Sequence, residues 1–396
     1  MRVGFALVIG WLAVFAQGCE SPVQEAVDYC ADQASRTLEN VPSDDRMPNG
    51  VDAGSSEWKY VSPGSWTSGF WPGELWYLYE LTGEAKWKDA AVRFTESMMP
   101  VAYRKAGSHD VGFMMMPSIG HAYRLTGEER YRDALVSAAD SLVTLYNPNV
   151  GTILSWPNMV WKMDWPHNTI VDNMLNLELL YWVAANCDRP DLYDIAFRHS
   201  VTTMEHQFRE DGSTCHVVVY DPETGEELAR HTHQGWKDES TWARGQAWAV
   251  YGFTMAYRFA RDERFLQTAV RATDYFLSHL PEDGIPYWDF DAGVELEDQP
   301  KDASAAAIVA SALLELQSYL PGAEGKRYRQ AAEQLVSILS SDTYRAGDQC
   351  SAFLLHATGH KPRGSEVDSS LSYADYYYLE SLYRLQRIGK GESVIP

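Results

Sequence analysis

The sequence predicts an all-α chain folded as an (α/α)6 toroid, a closed ring of six helical hairpins, with a small β-hairpin insertion. Three observations predict it. Long stretches of helical periodicity are broken by Gly, Pro and Asp clusters. One pattern recurs, in which a helix stops at a Thr-Gly or Asp turn and the next restarts on an aromatic residue followed by Ala. It reads LYELTGEAKWKDAAVRF around Trp87, AYRLTGEERYRDALVSA around Tyr131 and AYRFARDERFLQTAVRA around Phe265, with weaker copies around Tyr193 and Tyr328. These positions stand 44, 62, 72 and 63 residues apart. Superhelical arrays have shorter and more constant periods, so the uneven steps describe hairpins with large loops inserted on one side.

The elements follow in chain order. Met1-Arg2, an apolar run over residues 3–16 and Gln17-Gly18-Cys19 describe a signal peptide over 1–18. Cys19 after Gly18 resembles a bacterial lipoprotein box, with Ala16 in the place where Leu is usual. The expectation is an exported protein, periplasmic or at the cell surface, with Cys19 as its candidate lipid anchor. A helix is predicted near 23–38 and a terminal one over 376–386, and with the five repeats these complete six hairpins. The segment 215–230 (CHVVVYDPETGEELAR) alternates around a Pro-Glu-Thr-Gly turn and reads as a β-hairpin. Cys30, Cys187, Cys215 and Cys350 lack the spacing of a zinc site and read as core residues or one structural bridge. No linker or composition break follows residue 25, so 19–396 is expected to form one domain.

Composition narrows the function. The 396 residues carry 33 Lys plus Arg against 55 Asp plus Glu, a net charge of −22, with 45 % hydrophobic residues, 14 Trp and 23 Tyr. So much large apolar surface excludes a disordered chain, and the acidity argues against nucleic acid as a partner. An anionic substrate would be repelled by the overall field and would need local cations to hold it.

The loops between hairpins carry the chemistry-bearing residues. Asp110 lies in SHDVGF and Asp172 in VDNMLNL. An Asp opening an apolar helix ordinarily caps it. Here apolar and aromatic neighbours surround each carboxyl, which raises a carboxyl pKa and prepares it for proton donation. Residues 231–252 hold His231, His233, Gln234, Trp236, Trp242, Arg244 and Trp248. His-x-His without a carboxylate cluster at ligand spacing does not suit a metal. Trp for ring stacking, Arg for a carboxylate, and His and Gln for hydroxyls suit a sugar acid. Trp248 and Tyr251 read as core, and a lone His216 is structural by default. A last loop holds Lys361, Arg363 and Ser365 before Tyr373, Tyr376, Tyr377 and Tyr378, of which at most two can face a pocket.

These clusters, in this order, resemble the unsaturated glucuronyl hydrolases of glycoside hydrolase family 88. The related unsaturated rhamnogalacturonyl hydrolases share the toroid. The likeness runs over about residues 66–385 through SWTSGFWPGELW, HDVGF, VDNMLNL, HQGWKDESTWARGQAW, KDASAAAI and SEVDSSLSYADYYYLE. The resemblance implies hydration of the vinyl ether in a 4,5-unsaturated uronic acid left by a polysaccharide lyase. An Asp protonates C4, water adds at C5, and the linkage then falls apart without metal or cofactor. It implies Asp172 as the acid/base and Asp110 as the second carboxyl. As substrate-binding residues it implies His216, His233, Gln234, Trp242, Arg244, a stacking Trp156 (with Trp161 as competitor) and Tyr376. The expected partner is an unsaturated oligosaccharide, and membrane contact is expected only through the N-terminal anchor. Three other readings compete: the rhamnogalacturonyl branch, an inverting glycosidase on the same toroid, and a non-catalytic surface glycan-binding lipoprotein.

Overall fold

The computed structural model describes residues 21–395, and the predicted signal segment and Cys19 lie outside the described residues. Six helix starts define the ring. Phe70–Thr82, the run 111–126, Asn173–Asn186, Ala243–Ala260, Ala303–Leu316 and Ser372–Lys390 pack side by side in that order, and the last closes against the first. These inner helices are apolar around most of their circumference, and every residue of Ala303–Leu316 is buried. That composition suits a helix enclosed on all sides. The outer helices Ala85–Ala102, Glu129–Leu142, Pro190–His206, Glu263–Ser278 and Gly322–Leu339 bury a single stripe. Pro22–Asn40 packs on Ser372–Lys390 as the sixth outer helix, so both terminal helices run longer than predicted.

The repeated turn has a backbone cause. Each of the five hairpins that are contiguous in sequence reverses through a left-handed residue, Gly83, Gly127, Asp188, Arg261 or Gly322, at φ 73°, 69°, 52°, 52° and 63°. Trp87, Tyr131, Phe265 and Tyr328 are fully buried, whereas Tyr193 is partly exposed. Tyr131 donates to Glu96 at 2.6 Å and Tyr328 to Asp274 at 2.9 Å, each tying its helix to the outer helix before it.

The predicted β-hairpin is Val217–Tyr220 paired with Glu227–His231, and it acquires a third antiparallel strand, His167–Ile170. Ile170 faces Val217 in the register, and Val171 N–H donates to the His216 carbonyl at 3.1 Å. Asp172 and His216 therefore leave the same end of one sheet. The four cysteines are free; Cys30, Cys215 and Cys350 are buried, and Cys187 is half-exposed rather than core. No bridge forms among them.

Candidate active site

All six inner helices begin at one end of the ring, and a cavity of about 480 Å³ opens there. Residues at or just before those starts line it: Trp66, Asp110, Asp172, Arg244 and Tyr373. The five helix N-termini that these residues flank supply partial positive charge, which locally opposes the acidic field of the chain.

Asp172 stands before Asn173 but does not cap its helix. Its φ of −57° and ψ of −27° are helical, and its side chain accepts no hydrogen bond from the first turn. A capping side chain needs extended backbone at that position, so the carboxyl is turned into the cavity. It is 12 % exposed, and Oδ2 has no hydrogen-bond partner. Burial pushes its pKa up from 3.8 to about 7, with Arg244 pulling against the shift and Asp110 adding to it. His216 approaches Oδ2 at 3.8 Å through Nε2. Its Nδ1 accepts the backbone N–H groups of His233 and Gln234 at 3.2 and 3.3 Å, which leaves Nε2 as the protonated nitrogen. Burial, with His233 and Arg244 nearby, holds the His216 pKa well below the usual imidazole range. The ring lies against Trp242 with centroids 4.5 Å apart. His216 and Trp242 thus form the floor beneath Asp172.

Asp110 also makes no cap bond. It is fixed from behind by a chain of hydrogen bonds. Phe113 N–H donates to Asn176 Oδ1 at 2.8 Å, and the Asn176 amide donates to His109 Nδ1 at 3.1 Å. His109 Nε2 therefore carries the proton and faces Asp110 Oδ1 at 3.2 Å, while Ser108 donates to Oδ2 at 2.7 Å. Gly112 is required for this approach, because a Cβ there would run into the Asn176 backbone.

The remaining predicted residues divide. Trp156 lines the cavity, its indole 5.3 Å from the His233 ring and 5.8 Å from that of His216. Its competitor Trp161 is 72 % exposed outside. His233 and Gln234 also line the cavity; Gln234 donates to the Gly359 carbonyl at 3.2 Å, and His233 faces Arg363 at 2.8 Å. Burial, with Arg363 beside it, lowers the His233 pKa to about 4. His231 turns away to stack on Trp165 and pair with Asp238. Arg244 lines the cavity, but its fork is occupied: one terminal nitrogen donates to Asp302 at 3.1 Å and Thr358 O at 2.5 Å, the other to Gly359 O at 2.6 Å.

Tyr376 is a correction. It lies outside the Asp172 cavity and meets His121 at 3.2 Å in a second cavity toward the other end of the ring. Its ring fills the space left by Gly73, where a Cβ would stand 2.5 Å from it. Tyr373, about 4.5 Å nearer the helix start at 1.5 Å per residue, is the tyrosine that lines the site. Its signal was its place in the first turn after Ser372. His109, His360, Trp66 and Glu366 also line the cavity without an assigned role in the sequence; His109 stands next to Asp110, and Trp66 and Glu366 lie in motifs that carry the family resemblance. Arg363 and Ser365 reach the rim and Lys361 does not.

With this geometry, the comparisons with known proteins are specific. The profile of "Glycosyl Hydrolase Family 88" matches residues 33–394. An unsaturated glucuronyl hydrolase of Formosa agariphila is 42 % identical over 82 % of this chain and 80 % of its own. An unsaturated chondroitin disaccharide hydrolase of Streptococcus pneumoniae is 32 % identical, covering 92 % of both. The crystal structure of an unsaturated glucuronyl hydrolase specific for heparin superposes with a TM-score of 0.88 at 40 % identity, over 93 % of this chain and 98 % of that one.

Proposed function

This chain belongs to glycosyl hydrolase family 88, and on that premise we propose that it removes the 4,5-unsaturated uronic acid from the non-reducing end of lyase-generated oligosaccharides. One observation carries the catalytic assignment: Asp172 is a buried, uncapped carboxyl facing the cavity, with burial pushing its pKa up to about 7. Near neutral pH such a group still holds its proton and can deliver it.

The chemistry follows from the substrate. Asp172 gives its proton to C4 of the vinyl ether, and positive charge develops over C5 and the ring oxygen. Water adds to C5 and returns a proton to the Asp172 carboxylate, so one water is consumed and the acid is regenerated. The hemiketal opens, C1 becomes a hemiacetal, and that hemiacetal releases the aglycone alcohol. Asp110, held by His109 and Ser108, binds the sugar and faces the developing charge. Trp156 stacks on the ring, and His233, Gln234 and Tyr373 bound its edges. Arg244, its fork occupied, contributes charge rather than a two-pronged grip on the uronate. His216 and Trp242 support Asp172 from below. Export through 1–18 and anchoring at Cys19 belong to the same reading and rest on the N-terminal sequence.

The test follows the ultraviolet absorbance of the conjugated enoate across a panel of lyase products, for wild type and Asp172→Asn in parallel. Loss with wild type alone is expected. A folded Asp172→Asn variant with near wild-type turnover overturns the assignment, and no turnover by wild type on any substrate overturns the reaction.

A further inference from the structure

Trp161 is singled out by the sequence yet has no place in the cavity, and its surroundings give it one. The short helix Met159–Lys162 forms part of the cavity wall through Asn158, Met159 and Lys162. Trp161 projects from the same turn onto the outer rim, 72 % exposed, with Val160 and Met163 also exposed beside it. The Lys162 ammonium lies 5.2 Å from the centre of the Trp161 ring. An exposed apolar group of this size, continuous with a polar cavity, marks a binding surface. The rim also carries Lys59 and Arg363. Lys59 is paired with Asp52, and Arg363 is turned to His233. Among the described residues Lys162 makes no ion pair, so its charge is free for a ligand.

We propose that Trp161 and Lys162 form an outer sugar subsite, which takes a pyranose of the oligosaccharide beyond the one joined to the unsaturated residue. Trp161 stacks on its face and Lys162 meets an acidic group on it. The occupant follows from continuity and charge. A substrate whose unsaturated ring lies between Trp156 and Asp172 must leave over the rim, and an acidic saccharide needs cations there against a net charge of −22. This inference rests on the proposed function and adds a preference for length: tetrasaccharides over disaccharides.

The experiment uses unsaturated di- and tetrasaccharides from lyase digestion of unsulfated chondroitin and of ulvan. Enoate loss gives kcat/KM for wild type, Trp161→Ala and Trp161→Phe. Removing one stacking face is expected to lower kcat/KM on the tetrasaccharide by about fivefold, to leave the disaccharide within about twofold, and to be largely restored by Phe. An equal effect on both lengths, or none on either, overturns the subsite and turns attention to a lipid surface or second copy as the occupant. Calorimetric binding of the same oligosaccharides to wild type and Trp161→Ala keeps this outcome separate from failure of the reaction. Length-dependent weakening supports the subsite even without turnover, and length-independent binding or no binding overturns it.

Discussion

Replacing Asp172 by Asn tests the site through stability as well as turnover, because the same burial that arms the acid also strains the fold. Burial that moves the carboxyl from an ordinary 3.8 to about 7 in the folded state corresponds to about 4 kcal/mol. At 12 % side-chain exposure, solvent screening removes little of it. The sign is fixed by linkage. Between pH 4 and 7 the folded protein holds a proton that the unfolded chain has released, so stability present below pH 4 is lost as pH rises through 7. Asn is uncharged throughout. Asp172→Asn is therefore expected to match wild type near pH 4 and to exceed it progressively, by up to about 4 kcal/mol at pH 8. Paired thermal or urea denaturation from pH 4 to 8 reads the difference. Wild-type kcat/KM should fall about tenfold per unit above pH 7 as the Asp172 proton is lost. A stability difference independent of pH would refute the burial argument, even if Asp172→Asn were inactive.

Two further outcomes follow from the same contacts, and a third from the proposed N-terminal anchor. Asn176→Ala removes the partners of Phe113 N–H and His109 Nδ1, each costing about 1–3 kcal/mol when left buried and unsatisfied. It also frees His109 to take the other tautomer, so kcat should fall about tenfold with KM less affected, whereas unchanged kcat would show that the chain behind Asp110 is only structural. Arg244→Met strands Asp302 without its cation and should destabilise the protein by about 3–5 kcal/mol, measured by urea denaturation; an unchanged midpoint would mean that Asp302 is satisfied elsewhere. Cys19→Ala, expressed in a bacterial host, should move the protein from the membrane to the soluble fraction and abolish metabolic palmitate labelling, and labelling that persists would remove Cys19 as the anchor.

The ring was legible because its signals are local. A left-handed turn at Gly83 or Gly127 and a buried aromatic four residues later at Trp87 or Tyr131 are written into a dozen consecutive residues. The burial of Asp172 was legible for the same reason, since its apolar neighbours in sequence remain its neighbours in the fold, whereas Asp110 is partly exposed and held by Ser108 and His109. What escaped depends on distant parts of the chain. His167–Ile170 becomes a strand only because Val217–Tyr220 lies beside it. The Arg244 fork is filled by Asp302 and by carbonyls of Thr358 and Gly359, from two other segments. The choice of Tyr373 over Tyr376 depends on Gly73, about three hundred residues earlier, which leaves room for the Tyr376 ring.

A raised carboxyl pKa does not by itself mark the active site, and this molecule supplies its own control. Burial pushes Asp375 up to about 8, yet both its oxygens accept backbone N–H groups, from Phe353 and Leu354 at 2.9 Å. That carboxyl fastens a loop to a helix start. In the second cavity, acids and bases are matched: Arg258 binds Glu178 and Glu315, and Arg384 binds Glu315 and Glu380. Burial alone would raise Glu315, but Arg258 and Arg384 outweigh it and hold the carboxyl near 2. Asp172 differs from both. Its Oδ2 is buried without a hydrogen-bond partner at the wall of a cavity open to solvent, and the His216 Nε2 that faces it from behind the cavity lining has none either. Unmatched groups of this kind cost stability, and a fold able to satisfy Asp375 and Glu315 completely leaves this pair unmatched where a substrate could complete it.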